Sequence, residues 1–223
     1  MNYINSFRTT ERAAYFNLNG ITADYFGDSI VNFRSPFTAI KNATGISNIY
    51  NFGFNGRRLC CYGGFSTDVR MASSGVYQAL SSSGVDLVIV SGGVNDSSFA
   101  GSETDMSTII GDISDTTFLT YYGALKVMNN GLRAMFPNKH IVYLSPAYAI
   151  QTSSQIFPGN VGQLSAATVN FCSVNNIPCF DQYNNGGINA GNVGTYTSDG
   201  LHPNASGYSL LESKIIPFLQ TLT

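Results

Sequence analysis

Only two histidines occur among the 223 residues, which narrows where proton-transfer chemistry near neutral pH can sit. Imidazole, with an ordinary pKa of ~6.5, is the side chain best matched to that role. His140 follows Pro137-Asn138-Lys139 just ahead of an apolar run and reads as an exposed loop residue. His202 lies in Ser198-Asp199-Gly200-Leu201-His202-Pro203-Asn204, where Gly200 permits an unusual backbone angle and Pro203 suits the first position of a helix. Asp199, three residues earlier, can reach the imidazole and hold its tautomer, or simply cap the turn. Ser29, in Gly27-Asp28-Ser29, stands where an apolar run ends. It reads as an exposed nucleophile on a sharp turn or as a helix N-cap. Acyl transfer also needs donors for the developing oxyanion. Asn95, in Gly93-Val94-Asn95-Asp96, offers a short amide, with an Asx-turn as its alternative role. Gly56, in Asn51-Phe52-Gly53-Phe54-Asn55-Gly56, offers an unobstructed N–H or is an ordinary turn glycine. The Gly-x-Ser-x-Gly elbow is absent.

These residues need elements to hold them. Apolar runs at Thr22–Phe26, Ile49–Phe52, Val85–Val90, Ile141–Leu144 and Ile177–Phe180 read as five strands. Val85–Val90 does not alternate, so it is expected to be buried on both faces. Helical periodicity predicts helices over Asp68–Leu80, Phe118–Phe136, Val161–Val174 and Asn204–Leu222, the last interrupted or bent at Pro217. The expected stripe of the second is Tyr122, Leu125, Met128, Leu132 and Met135. Strands alternating with helices predict a parallel sheet covered on both faces, with the ligand beyond the strands' carboxyl ends. Gly27–Ser29, Gly53–Gly56, Ser91–Asp96 and Thr197–Asn204 all fall at such ends.

Taken in order, Gly-Asp-Ser, a glycine after the second strand, Gly-x-Asn-Asp and Asp-x-x-His resemble the four blocks of the SGNH/GDSL hydrolase superfamily. The resemblance spans residues 27 to 202. It implies a three-layer α/β/α sandwich with a mostly parallel five-stranded sheet of the flavodoxin-like type. It further implies Ser29 as nucleophile, His202 as base, Asp199 as its orienting group, and an oxyanion hole from Ser29, Gly56 and Asn95. Between Gly53 and Gly56 the spacing leaves a choice. Arg57–Gly64, with adjacent Cys60 and Cys61, departs from the usual pattern and leaves that loop's path open. No metal or organic cofactor is implied.

Composition sets the remaining bounds. A single domain over 20–223 is expected, with residues 1–19 as an N-terminal segment or tether. Charged residues make up 11% of the chain, far below the ~25% usual for soluble domains. The surface is therefore polar through neutral groups, a habit common in extracellular or virion-exposed proteins. Residues 1–19 lack the apolar centre of a signal peptide. A net charge of −2 offers no footprint for nucleic acid, and no apolar run approaches a membrane span. Four cysteines are expected to be free, partly buried thiols, with Cys172 and Cys179 able to pair only if the fold brings them together. The expected partner is a small acyl ester or an acetylated polysaccharide, cleaved as an O-acetyl group on a carbohydrate. Lipase, lysophospholipase or thioesterase activity is the alternative, and a non-catalytic carbohydrate-binding or structural virion domain is an alternative of another class. Composition leaves the oligomeric state open.

Overall fold

The structure is a computed structural model that describes residues 16–34, 37–62, 71–72, 80 and 84–223. Five strands, β1 (Thr22–Gly27), β2 (Asn48–Gly53), β3 (Leu87–Ser91), β4 (His140–Leu144) and β5 (Cys179–Phe180), form one sheet in the order β2-β1-β3-β4-β5. Every pairing is parallel. That order reverses direction between β1 and β3, the switch point at which such sheets bind ligands.

Parallel strands that are buried on both faces need apolar residues at every position, and β3 supplies them in Leu87–Val90. Their parity divides the core. Phe26, Val88, Val90, Ile141 and Tyr143 point to one face. There they meet α4 (Tyr121–Met135) and α5 (Pro158–Val174). Tyr25, Leu87, Ile89, Val142 and Leu144 point to the other, under α2 (Thr38–Thr44) and α8 (Ala205–Gln220). The result is the three-layer α/β/α arrangement expected from the sequence. Shorter turns of helix complete it: α1 (Ser29–Asn32), α3 (Ser107–Ile110), α6 (Gln182–Asn185) and α7 (Val193–Tyr196), with 3-10 turns at Val94–Ala100 and Thr152–Ser154.

Several boundaries differ from expectation for identifiable reasons. α4 begins at Tyr121 because the Thr120 hydroxyl accepts from Gly123 N–H and caps it. Its buried face is centred on Tyr121, Ala124, Leu125, Met128 and Leu132, while Tyr122 and Met135 sit at the margin. α5 starts three residues early because Pro158 occupies its first turn, where a missing N–H costs nothing. β5 is only two residues long, since Pro178 cannot donate to the ladder. α8 begins at Ala205: the Asn204 side chain accepts from Gly207 N–H, so Asn204 is the cap and Pro203 precedes the helix. Pro217 lies inside α8 without ending it, and the helix continues to Gln220. The helix expected over Asp68–Leu80 lies for the most part outside the described residues. Phe16 and Leu18, in the segment expected to precede the domain, pack into it: Leu18 is buried, and the Phe16 ring stacks on His140. All four cysteines are free, and Cys60, Cys61 and Cys172 are buried. The hydrogen bond that the Cys172 S–H gives to Cys179, together with burial, pushes the Cys172 thiol far up. Among the described residues no helix is long and apolar enough to cross a membrane.

Candidate active site

β1 delivers Ser29 to the carboxyl edge of the sheet, at the switch point. The strand ends at Gly27, and Asp28 caps the following turn by accepting from Ile30 N–H at 3.0 Å. Ser29 is therefore the first helical residue rather than the cap. Ser29 is buried rather than exposed as expected, and it lines an open cleft of about 420 Å³, a volume in the range of small-ligand sites.

The turn before α8 brings the histidine. Asp199 Oδ1 accepts from Leu201 N–H at 3.0 Å and His202 N–H at 2.8 Å, closing the turn. Its other oxygen stands 2.7 Å from His202 Nδ1. Capping and orienting, read from the sequence as alternatives, are thus both carried by one carboxylate. An ionised carboxylate only accepts, so Nδ1 carries a proton and Nε2 is left as an acceptor. Nε2 lies 2.9 Å from Ser29 Oγ. Partial burial works against ionisation of Asp199, but the hydrogen bonds from His202 and Leu201 outweigh it and bring the carboxyl down to about 2. It is therefore charged throughout the neutral range.

The remaining two candidates line the same cleft from other strands. Asn95 follows β3 on the 3-10 turn, and its amide donates to Arg57 O at 2.9 Å rather than closing an Asx-turn. Gly56 follows β2 with a φ of +67°, and a side chain there would point into open space. Gly53 serves packing instead. A Cβ on it would lie 2.0 Å from Asn32 N, so its bareness lets α1 pack on β2. Of the two glycines between which the sequence left a choice, Gly56 is the one that lines the cleft. His140, by contrast, is the first residue of β4, at the opposite edge of the sheet.

Sequence reasoning gave no role to several residues that line the cleft, among them Phe33, Arg58, Gln151 and Ser154. Phe33, which stays 53% exposed, sets its ring edge to face against His202 at 5.2 Å. Arg58, Gln151 and Ser154 also line the cleft. Arg58 belongs to the stretch after Gly56 that departs from the family pattern, the one signal that could have drawn attention to it. Gln151 and Ser154 sit in a loop whose only sequence mark is Pro146.

What the arrangement can do is carry a proton from a serine hydroxyl to an imidazole held by a carboxylate, beside amide donors at a parallel sheet's switch point. That fold and that chain of side chains define the SGNH class of hydrolases. The chain belongs to the GDSL-like lipase/acylhydrolase family, whose model matches residues 25–210. Solved structures of the same fold include a protein from Lactobacillus plantarum, 22% identical with a TM-score of 0.71, the match covering 91% of this chain and 98% of that one. A lipase/acylhydrolase from Enterococcus faecalis is 18% identical with a TM-score of 0.63 over 90% of this chain and 96% of that one. A GDSL-like lipase from Bacteroides thetaiotaomicron is 17% identical, with a TM-score of 0.62 over 91% and 89%. No curated protein matches the sequence.

Proposed function

We propose that this hydrolase is a serine esterase acting through an acyl-enzyme, with Ser29 as nucleophile, His202 as base and Asp199 as the group that orients it. The observation that carries the reading is the unbroken chain from Ser29 Oγ through His202 to Asp199, at 2.9 and 2.7 Å. His202 Nε2 takes the hydroxyl proton as Oγ bonds to the ester carbonyl carbon. The N–H groups of Ser29 and Gly56 and the Asn95 amide receive the negative charge that moves onto the carbonyl oxygen. Collapse breaks the ester C–O bond, and the leaving alcohol takes the proton from Nε2. Water then repeats the sequence, giving up its proton to Nε2, and frees the acid and Ser29.

The substrate is an O-acetyl group on a carbohydrate. Support comes from the cleft wall, where Asn55, Gln151 and Ser154 offer hydrogen bonds and Phe33 offers an exposed ring beside His202. Sugars are bound by that combination of amides, hydroxyls and one aromatic face, and a cleft of this size suits a short acyl group. A second reading, as a lipase or thioesterase, draws on Ile156 and Leu201, which add apolar surface to the same cleft. Hydrolysis of p-nitrophenyl acetate and octanoate separates the two. The acetate is expected to be the better substrate, with activity lost in Ser29→Ala and His202→Ala; strong octanoate preference would favour the lipase reading.

A further inference from the structure

Gly56 and Asn95 reach the cleft on loops that leave different strands, so the distance between them is set between loops rather than within one. The residues after Gly56 are laced to the 3-10 turn that carries Asn95. Arg58 Nε donates to Asn95 O at 3.1 Å, and Arg58 Nη2 donates to Ser98 Oγ at 2.6 Å. Ser98 Oγ in turn donates to the same Asn95 carbonyl at 2.8 Å. The lacing is reciprocal, because the Asn95 amide donates back to Arg57 O at 2.9 Å. The guanidinium also lies over the Phe99 ring, 4.2 Å from its centroid, which fixes its plane. Behind this pair, the buried Asp96 carboxylate accepts from Leu59 N–H at 2.8 Å and Cys60 N–H at 2.9 Å.

We propose that Arg58 is a positioning residue that sets the Asn95 amide against Gly56, so that donors from two loops converge on one oxygen. This rests on the oxyanion roles proposed above for Gly56 and Asn95. A guanidinium suits that role because its rigid fork makes two bonds at fixed angles, which an ammonium on a flexible stem does not reproduce. Small displacements matter here, since about 1 Å of misplacement costs on the order of 10²-fold in rate. Asp96 supplies a separate tie between the same loops, so removal of Arg58 leaves the loop path anchored.

The test is kcat and KM on p-nitrophenyl acetate for the wild type, Arg58→Ala, Arg58→Lys, Asn95→Ala and the Arg58→Ala/Asn95→Ala pair, with Ser29→Ala as the blank. Arg58→Ala is expected to lower kcat about 10–100-fold with KM kept within about 3-fold. Arg58→Lys should fall nearly as far. In the Asn95→Ala background the further loss should be under about 3-fold, because a residue acting through Asn95 has nothing left to position. Losses that multiply, recovery of kcat by lysine, or an effect confined to KM would each overturn the proposal, the last two by assigning Arg58 a direct contact with substrate. Full activity in Arg58→Ala beside a crippled Asn95→Ala would also overturn it while leaving the esterase reading intact. Unchanged activity in Ser29→Ala and Asn95→Ala would instead remove that reading, and this proposal with it. Ser98→Ala, which deletes one acceptor of the fork, gives the same comparison at smaller amplitude should Arg58→Ala fail to fold. Phosphonylation of Ser29 by a fluorophosphonate, whose P=O oxygen fills the same donor site, reads the series without an acyl substrate.

Discussion

The two arms of the site are built in opposite ways. The Asp199–His202 arm is local: its three bonds from Asp199 run to residues two or three positions away, and Ser198 N–H closes the turn on His202 O at 2.9 Å. The donor arm is non-local: Arg57–Cys60 and Asn95–Ser98 are tied together across 36 to 40 residues of chain. A local arm is specified by a short motif and keeps its geometry wherever the fold carries it. A non-local arm depends on the loops between, and its precision has to come from side chains that no motif names.

The sharpest way to break that comparison is to remove the reacting groups themselves. Ser29→Ala and His202→Ala are expected to lose activity by about 10⁶-fold, and by similar amounts, because they act as one unit. Asp199→Asn is expected to lose about 10⁴-fold, since an amide opposite Nδ1 no longer holds the tautomer that leaves Nε2 free. Asp199 itself titrates at about 2, so it stays charged down to about pH 4 and adds no acid limb to the rate profile above that. On the donor arm, Asn95→Ala is expected to cost about 10²–10³ in kcat with KM little changed. A folded Asn95→Ala enzyme with wild-type turnover would show that the donor arm carries no oxyanion.

The same contrast explains what the sequence disclosed. The core strands were legible because burial on both faces forces continuous apolar runs, as at Leu87–Val90. Ser29 and Asn95 stand in short motifs just after β1 and β3, and Asp199 and His202 in a short motif that turns into α8 rather than at a strand end as expected, which is why the sequence drew attention to them. Gly53 and Gly56 were not separable by spacing, since only the approach of α1 to β2 shows which one must be bare for packing. Arg58 was hidden for the same reason: its partners, Asn95 and Ser98, are about 40 residues away. The start of α8 was misjudged by a residue because Asn204 and Pro203 both make good helix starts, and the contact to Gly207 N–H decides between them.

The local arm also rests on a non-local contact at Gly200, and breaking it measures how independent the arm is. Gly200 has a φ of +86°, and a Cβ there would lie 1.9 Å from Ile150 O. Gly200 O also accepts from Ile150 N–H at 2.9 Å, so the turn is seated directly on the chain after β4. Gly200→Ala is expected to destabilise the fold by about 1–3 kcal/mol through backbone strain and that clash. Thermal melting measures the cost. Because Asp199 and His202 are joined within the turn, kcat at 25 °C should fall less than in Asn95→Ala; a larger fall would mean that the local arm is not self-contained.

The smallest expected effect compares the two carboxylates that precede the reacting side chains. Asp199 is held down by local N–H donors. Asp28, one residue before Ser29, is buried, and desolvation first, then the nearby Asp96 carboxylate, push it up to about 7 against its bond from Ile30 N–H. In the unfolded chain an aspartate titrates near ~3.9. Between those values the folded state holds a proton that the unfolded state has lost, so stability falls as pH rises. The contribution of Asp28 is complete below about pH 4 and is lost progressively as pH approaches 7. Asp28→Asn keeps a cap for Ile30 N–H and removes the titration, so its Tm should decline less than the wild type's between pH 5 and 8. A difference in slope worth about 1 kcal/mol would appear as about 2–4 °C. Parallel curves would mean that Asp28 is ionised in the folded protein at low pH, and that burial has not set the two carboxylates apart.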